Sequence, residues 1–301
     1  MIRVVSTDAA QRERVRLMHE RERLGGASLS ACVLTPKAAP EAQLSTPDAP
    51  NNKQNTCAVI VAAGTGERFG DPCGKQFVPL AGLPLISWSI LAFDRAPSIG
   101  HIVVVYPKDK FDEMIEVIKG LVLRCDITLV AGGATRQDSV FSALLSMPDG
   151  YDLVAVHDGA RPLVRIKTIE DTVAALKADD NLTGAIAAIR ATDTLKLVED
   201  SLIVATPDRT YYWNAQTPQV FRTKKLLAAH RASVWDDYVG TDDASLIERR
   251  GGKVICVTGA RDNIKVTVPE DKIIAEALLE HRIDTEGCGL CDGSPSEGGL
   301  V

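Results

Sequence analysis

Long hydrophobic runs are missing from this 301-residue chain, although 45% of its residues are hydrophobic. No apolar stretch approaches the roughly 20 residues that a membrane-spanning helix requires. The first residues also lack the continuous apolar segment of a secretory signal. We therefore expect a soluble protein that has no membrane partner and is long enough to bury a full hydrophobic core.

An excess of positive charge is also missing, since the formal net charge is −6 at pH 7. A net negative charge disfavours nonspecific binding to nucleic acids, whose phosphates attract basic surfaces. An anionic ligand would have to be held by local clusters of arginine and lysine. The charge balance therefore predicts a small-molecule substrate and no nucleic-acid partner.

The seven cysteines lack the even number and regular spacing of a disulfide framework. Several lie within predicted strands, which suits a reducing compartment and predicts a cytoplasmic location. Cys288 and Cys291 form a CxxC pair near the C-terminus. Because no second CxxC or histidine pair accompanies it, neither a redox role nor a metal-binding role is favoured.

The two ends of the chain differ in composition from the middle. Residues 1–55 are rich first in arginine and then in alanine, proline, serine and threonine, and prolines from Pro36 to Pro50 exclude a continuous helix there. We predict a disordered N-terminal extension over residues 1–55 and a flexible tail over residues 285–301. One folded domain is expected between them, over residues 56–284.

A glycine-rich loop after a buried strand is the most informative stretch. Residues 58–62 are uniformly apolar, which is typical of a strand buried on both faces of a parallel sheet. Gly64 and Gly66 then allow successive backbone N–H groups to converge on an anion. Arg68 and Lys75 add two cations to the same loop. This pattern predicts an anion-binding loop.

Other glycine-rich loops fit this stretch less well. A P-loop requires four residues between its glycines and then Lys-Ser/Thr, whereas one residue separates Gly64 from Gly66. A dinucleotide-binding turn requires glycine or alanine where this chain has Phe69. An NAD(P)-dependent dehydrogenase is therefore disfavoured, and a glycine-rich turn without a ligand remains an alternative.

Strand and helix patterns alternate along the folded part. Apolar runs predict strands at residues 102–105, 127–130, 153–156 and 185–189, with helices between them. This alternation predicts an α/β fold with a doubly wound, mainly parallel sheet. Ligands of such sheets bind at the carboxyl ends of the strands, so functional residues are expected directly after each strand.

Candidate binding residues open the helix that follows the strand at 127–130. Gly133, Arg136 and Ser139 lie there, and the free N–H groups of a helix N-terminus attract anions. Alternatively, Asp138 and Ser139 only cap this helix.

A carboxylate and an arginine follow the strand at 153–156. Asp158 lies where a metal ion bound to phosphates would be met, and Arg161 could bind a second anion. Alternatively, these two side chains only pair with each other. Farther along, Lys265 occupies a predicted strand position among apolar residues, where its ammonium group would either meet an anion or extend to solvent.

The alternation stops between residues 192 and 217. Two extended segments around a turn at residues 199–201 predict a β-hairpin arm that protrudes from the domain. Such arms often wrap a partner subunit, so a symmetric homodimer is expected.

Eight segments of the folded part, in this order, resemble a known enzyme family. The sequence is similar to 2-C-methyl-D-erythritol 4-phosphate cytidylyltransferases, which have a Rossmann-like nucleotidyltransferase fold. This family makes CDP-methylerythritol and pyrophosphate from CTP in the non-mevalonate isoprenoid pathway. The resemblance covers about residues 56–282 and rests on AAGTGERFG with Lys75-Gln76, GGATRQDS, HDGARP, ATDTLK, PDR, TPQ, TDDAS and RDNIKVT.

The resemblance implies a role for each matching residue. It implies that four cations are catalytic, namely Arg68, Lys75, Arg209 and Lys265. It implies that CTP is bound by Ala62, Ala63, Gly64, Gly66, Gly133, Arg136, Ser139 and Gly159. It implies that the sugar phosphate is bound by Asp158, Arg161, Thr194 and Thr217.

The resemblance also implies a divalent cation and a dimer. Mg²⁺ would be held at Asp158 or by the phosphates alone. The arm would supply Thr194 and Arg209 across the dimer interface, with Thr217 as a further candidate.

Three positions depart from the family pattern. Gly74 stands where proline is common, Ala134 where an acidic residue is common, and Gly159 where alanine is common. These departures leave the expected reaction intact and bear on the nucleotide contacts. Two alternative functions remain, a ribitol-5-phosphate cytidylyltransferase, which shares the fold, and a non-catalytic nucleotide-binding regulator.

Overall fold

The apolar runs of the sequence form strands of a central sheet. The computed structural model describes residues 1–5, 8–24 and 54–287. Runs such as TCAVIV and LVAVHD are buried on both faces, as expected for interior strands of an α/β sheet. The strands of the central sheet are β1 (Ile2–Val5), β2 (Thr56–Val61), β5 (Ile99–Tyr106), β6 (Asp126–Ala131), β7 (Leu153–Asp158), β8 (Gly184–Arg190), β11 (Trp213–Arg222) and β12 (Val254–Thr258). Two short hairpins pair β3 (Pro79–Leu80) with β4 (Leu83–Pro84) and β9 (Leu197–Glu199) with β10 (Leu202–Ala205).

The strand order of the sheet is β1-β6-β5-β2-β7-β11-β8-β12. Only β11 runs antiparallel to its neighbours, β7 and β8, and the other pairs are parallel. The chain proceeds from β2 to one side through β5 and β6, and then returns to the other side of β2 with β7. This reversal creates a crevice at the carboxyl ends of β2 and β7, where ligands of open α/β sheets bind. The predicted doubly wound, mainly parallel sheet is confirmed.

Helices cover both faces of the sheet. One core lies under α2, α3, α5 and α8, and includes Phe93 and Met114. The other lies under α4, α6 and α7, and includes Leu226 and Ile247. In the part of the chain that the structure describes, no helix is long and apolar enough to cross a membrane. The helices are α1 (Asp8–Arg23), α2 (Leu85–Arg95), α3 (Phe111–Lys119), α4 (Arg136–Ser146), α5 (Ile166–Lys177), α6 (Thr223–Asp236), α7 (Asp243–Arg249) and α8 (Pro269–Glu286).

The arm is shorter than the predicted span of residues 192–217. The hairpin β9–β10 turns at Asp200 and Ser201, and β11 already begins at Trp213. Residues 213–217 therefore belong to the sheet and not to the arm. The strand pattern was hidden because β11 is polar in this part and contains Pro218, at an irregularity in its pairing with β8.

The prediction of disorder is wrong for the first residues of the chain. Strand β1 extends the sheet by pairing with β6, and helix α1 packs against α4 and α6 with Leu17 fully buried. These contacts are nonlocal, so composition did not reveal them. Residues 25–53 and 288–301 lie outside the described residues, as does the CxxC pair. At the other end of the domain, α8 continues to Glu286, two residues past the predicted boundary at 284.

Candidate active site

The loops after β2, β6 and β7 enclose a cavity of about 360 Å³ at the switch point of the sheet. Their convergence follows from the topology, because the carboxyl ends of β2, β6 and β7 lie at one edge of a parallel sheet. The segment between β12 and α8 closes the cavity from one side. The predicted residues that line it are Ala62, Ala63, Gly64, Lys75, Gly133, Arg136, Ser139, Asp158, Gly159 and Lys265.

Asp158, at the end of β7, is the centre of a charge cluster. Its carboxylate lies 2.8 Å from Lys265 Nζ, 3.1 Å from Arg136 Nε and 4.0 Å from Arg161 Nε. Burial alone would raise the pKa of Asp158, but the neighbouring cations hold it well below its ordinary range. The carboxylate is therefore ionised at neutral pH. The alternative in which Asp158 pairs only with Arg161 is wrong, since two other cations are closer.

Lys265 lies in an irregular segment and not in a strand as predicted. The segment is held against the loop after β7 by two hydrogen bonds. Val266 N donates to the carbonyl of Ala160 at 2.8 Å, and Arg161 Nη1 donates to the carbonyl of Asn263 at 2.7 Å. These bonds place the Lys265 ammonium beside Asp158.

Arg136 joins the cavity to a buried acidic residue of α7. Its Nη1 donates to Asp243 Oδ2 at 2.7 Å, and the Asp243 side chain is 1% exposed. His230 Nε2 lies 3.1 Å from the other oxygen of Asp243. Burial would lower the pKa of Arg136, but Asp243 and Asp158 together raise it. The guanidinium is thus fixed between two carboxylates and stays charged.

Lys75 begins a single 3₁₀ turn (Lys75–Phe77) after the glycine-rich loop. Its Nζ donates to the carbonyl of Val266 at 3.2 Å, and the side chain packs beside Gly66. Burial, with the nearby positive charge of Lys265, lowers the pKa of Lys75. The negative charge of Asp158 raises this pKa but does not offset the lowering. Arg68 lies on the same loop, but it is exposed and does not line the cavity.

The departure at Gly74 has a conformational reason. Its φ is 89°, a region that proline cannot enter because its ring fixes φ at about −65°. The loop before Lys75 therefore follows a path that a proline at this position would not allow.

Helix α4 begins with a capping box that shapes the glycine loop before it. Thr135 caps the helix, its side chain accepting from Asp138 N, while Asp138 Oδ2 accepts from Thr135 N at 3.2 Å. Gly133 N donates to Ser139 Oγ at 3.0 Å. A Cβ at Gly133 would lie 2.3 Å from Asp138 Cβ, so only glycine fits there. Asp138 therefore takes part in capping the helix, which starts at Arg136.

A second pocket of about 280 Å³ adjoins the first and shares Arg136, Asp158 and Lys265 with it. Arg161 and Thr217 line this second pocket. The Thr217 hydroxyl accepts from Asp158 N at 3.1 Å, so it belongs to the site of its own chain.

The arm residues do not reach either pocket of their own chain. Thr194 and Arg209 are exposed, and Arg209 donates to the carbonyl of Thr192 within the arm. Large apolar side chains of the same region are also exposed, among them Leu202 at 72% and Tyr211 at 84%. The arm presents an apolar surface without cover from its own domain.

A family model decides between the candidate enzyme classes. The model described as 2-C-methyl-D-erythritol 4-phosphate cytidylyltransferase matches residues 56–281. The chain belongs to this cytidylyltransferase family. The predicted resemblance is confirmed, and its matched region begins at β2 and ends within α8.

Relatives of this cytidylyltransferase family cover the same region. A 2-C-methyl-D-erythritol 4-phosphate cytidylyltransferase of Syntrophotalea carbinolica is 45% identical over 224 residues, which are 74% of this chain and 95% of the relative. The enzyme of the same name from Synechococcus sp. is 41% identical over 226 residues, 74% of this chain and 96% of the relative. The family domain is therefore present at nearly full length.

Solved structures give the same assignment. The 4-diphosphocytidyl-2C-methyl-D-erythritol synthase of Anaerococcus prevotii superposes with a TM-score of 0.67 at 30% identity, covering 75% of this chain and 96% of that one. The 2-C-methyl-D-erythritol 4-phosphate cytidylyltransferase of Francisella tularensis gives 0.62 at 31% identity, covering 74% and 99%. The fold of this chain is thus that of solved members of the cytidylyltransferase family.

Several residues of the cytidylyltransferase cleft were not singled out from the sequence. Gln76 is buried and lines the cavity, with Thr65 and Thr135. Asp243 was part of the TDDAS segment, which was the available signal. The ion pair of Asp243 could be identified only from the structure, because its partner Arg136 lies on another helix.

The described residues contain no cluster of three or more histidine, cysteine, aspartate or glutamate side chains that could hold a metal ion. Asp158 is the carboxylate that lines the cavity. Mg²⁺ is commonly bound by one or two carboxylates together with substrate phosphates, and Asp158 is ionised. The donor set of this cytidylyltransferase therefore fits a cation held mainly by a nucleotide.

Proposed function

We propose that this protein transfers the cytidylyl group of CTP to the phosphate of 2-C-methyl-D-erythritol 4-phosphate, giving CDP-methylerythritol and pyrophosphate for isoprenoid precursor synthesis. The observation that carries the proposal is the convergence of Lys75, Arg136 and Lys265 around one cleft at the switch point of the sheet. These cations suit two phosphate-bearing substrates. Family membership supports the choice of CTP and methylerythritol phosphate.

The two adjoining pockets suit the two substrates. The glycine loop with Gly64 and Lys75 suits the triphosphate, and the glycine loop before α4 suits the nucleoside. The second pocket, with Arg161 and Thr217, suits the sugar phosphate. Asp158 and Lys265 lie on the boundary, where the two phosphates would meet.

The transfer needs no general base from the protein. A phosphomonoester has a second pKa of about 6 and is mostly dianionic at neutral pH. One of its oxygens forms a bond to the α-phosphorus of CTP, the bond from this phosphorus to the bridging oxygen breaks, and pyrophosphate leaves with that electron pair. The nearby His157 is unsuited as a base, because burial lowers its pKa to about 3.

Catalysis then consists of positioning and charge neutralisation. Lys75 and Lys265 offset the repulsion between two polyanions and stabilise the charge on the α-phosphoryl group. Arg68, exposed on the first loop, is suited to contact the leaving pyrophosphate. Asp158 would hold Mg²⁺ together with the phosphates, and the cation would supply further neutralisation of the triphosphate.

We also propose that the active unit is a homodimer in which the arm completes the partner's site. The exposed apolar residues of the arm favour burial against a second subunit, and Arg209 and Thr194 would then contact the sugar phosphate bound by the partner. The cytoplasmic location stays a prediction.

Subunit complementation tests the arm. Lys75→Ala and Arg209→Ala are each expected to have strongly reduced activity, but a mixture refolded together should regain activity. In each mixed dimer one site combines an intact Lys75 with an intact Arg209, so about a quarter of all sites are restored in a statistical mixture. If the arm served its own chain, the mixture would stay inactive.

A substrate panel tests the reaction. The full chain is incubated with CTP and Mg²⁺ and with either 2-C-methyl-D-erythritol 4-phosphate or ribitol 5-phosphate, and pyrophosphate release is measured. Release only with the first compound is expected. Release with ribitol 5-phosphate alone, or CTP binding without any release, would instead support one of the two alternative functions.

A further inference from the structure

The first described residues form a folded unit outside the family domain. Strand β1 and helix α1 precede residue 56, where the family match begins. Strand β1 adds a parallel edge strand beside β6, with Ile2 to Val5 opposite Ile127 to Val130. Strand β6 leads into the glycine loop before α4 (residues 132–135), called the nucleotide loop below. The added strand therefore lies next to one of the strands that position the cleft residues.

Helix α1 docks on the face of the domain that carries α4 and α6. Leu17 is fully buried, and Glu13 forms an ion pair with Arg231 of α6, with 2.9 Å between Glu13 Oε1 and Arg231 Nε. The neighbouring Arg16 lowers the pKa of Glu13, and Arg231 lowers it further, so this carboxylate stays charged. The unit is therefore held by a strand pairing, a buried leucine and a charged contact.

One contact of α1 reaches the first turn of α4, next to the nucleotide loop. Arg14 Nη1 donates to Asp138 Oδ1, while the other oxygen of Asp138 accepts from both the backbone N and the side chain of Thr135. Asp138 also packs against Gly133, where even a Cβ would collide with it. The carboxylate that Arg14 holds thus fixes the loop that lines the cleft.

We propose that the β1–α1 unit is a positioning element for the nucleotide loop, in which Arg14 orients Asp138 and thereby holds residues 133–135 ready for CTP. Arg14 does not touch the substrate and acts through the capping box of α4. The inference rests on the proposed function only for its kinetic consequence, since the ordering of the loop is a property of the unliganded protein.

Hydrogen exchange tests the ordering without substrate. In the full chain, Arg14→Ala should speed amide exchange in peptides covering residues 133–138, whose N–H groups depend on the capping box, and leave β7 unchanged. Arg12→Ala, at an exposed position of the same helix, is the matched control. Leu17→Ala, which removes buried contacts of α1, should give the same pattern to a larger extent.

Kinetics tests the consequence for the nucleotide. Arg14→Ala should raise KM for CTP about two- to five-fold, the range expected from an exposed ion pair. The values of kcat and of KM for the sugar phosphate should not change, and Arg14→Lys should restore KM for CTP. When Asp138→Asn is already present, Arg14→Ala should have no further effect.

The outcomes separate this inference from the proposed function. If the unaltered chain releases no pyrophosphate, the function is wrong, and hydrogen exchange still decides whether Arg14 orders the loop. If Arg14→Ala and Arg12→Ala give equal exchange at residues 133–138 and equal KM for CTP, the positioning role is overturned. A rise in both KM values with a fall in kcat would also overturn it, because that pattern indicates general damage to the fold.

Discussion

Replacing Lys75 with alanine should lower kcat on the order of 10²- to 10³-fold, as does the loss of one preorganised donor to a charged transition state. The structure supports this magnitude. Lys75 lies between the glycine loop and Val266, and among the residues that the structure describes its ammonium makes one hydrogen bond, to a carbonyl. A triphosphate in the cavity would gain the other two donors of this group.

The same substitution should change the free energy of unfolding by no more than about 1 kcal/mol. The hydrogen bond to the Val266 carbonyl is lost, which destabilises the fold. However, the lowered pKa of Lys75 shows that burial and Lys265 disfavour its charge, so removing it relieves an unfavourable interaction. The two effects oppose each other, which separates a catalytic role from a structural one.

Pyrophosphate release at saturating CTP measures kcat, and urea unfolding measures stability. Lys119→Ala, on the exposed end of α3, is a control for removing a lysine. Because the pKa of Lys75 lies below the ordinary 10.5, kcat/KM for CTP should fall as pH rises through this lowered value, where the cation loses its proton. Lys75→Ala should lack this alkaline fall.

Two results would refute the reasoning about Lys75. Near-normal turnover in Lys75→Ala would mean that the lysine does not stabilise the transition state. A loss of stability of several kcal/mol together with the loss of activity would mean that its role is to hold the Val266 segment in place.

Three further predictions concern buried ionisable side chains. Asp243→Asn should destabilise the fold by about 3 kcal/mol in urea unfolding, because the Arg136 guanidinium loses a buried anionic partner; an unchanged midpoint would contradict this. Asp158→Asn should raise the Mg²⁺ concentration for half-maximal rate about tenfold, whereas Asp243→Asn should leave it unchanged; equal values would argue against Asp158 as the metal residue. His157 and His101 have pKa values lowered by burial to about 3 and about 4, so the unfolded chain takes up protons first and stability should fall as pH drops below about 6.5; His157→Gln should make this fall shallower.

Most of the fold could be predicted from local sequence patterns. The interior strands are uniformly apolar because both of their faces are covered, so their positions could be predicted within a few residues. The predicted strand at 102–105, for example, is the centre of β5. The convergence of Gly64, Gly133 and Asp158 could also be predicted, because parallel strands end at one edge.

The elements that were not predicted from the sequence depend on nonlocal contacts. Strand β11 is polar in its first half and contains Pro218, and it is a strand because β7 and β8 lie on either side of it. Strand β1 is only four residues long and helix α1 has few apolar residues, and their order depends on contacts with β6, α4 and α6. The composition of a segment contains no information about the other segments that it packs against.

By itself, then, the sequence determined the fold class, the family and the cations that line the cleft, since runs of apolar residues and spaced glycines act within short stretches of chain. Only the tertiary structure decided how these cations are held. Asp158 meets Lys265 and Arg136 meets Asp243 through contacts between distant parts of the chain. The partner, the pKa and the orientation of a charged side chain depend on the groups that the fold places within a few ångströms of it. These groups come from distant parts of the sequence, so a local sequence pattern does not predict them.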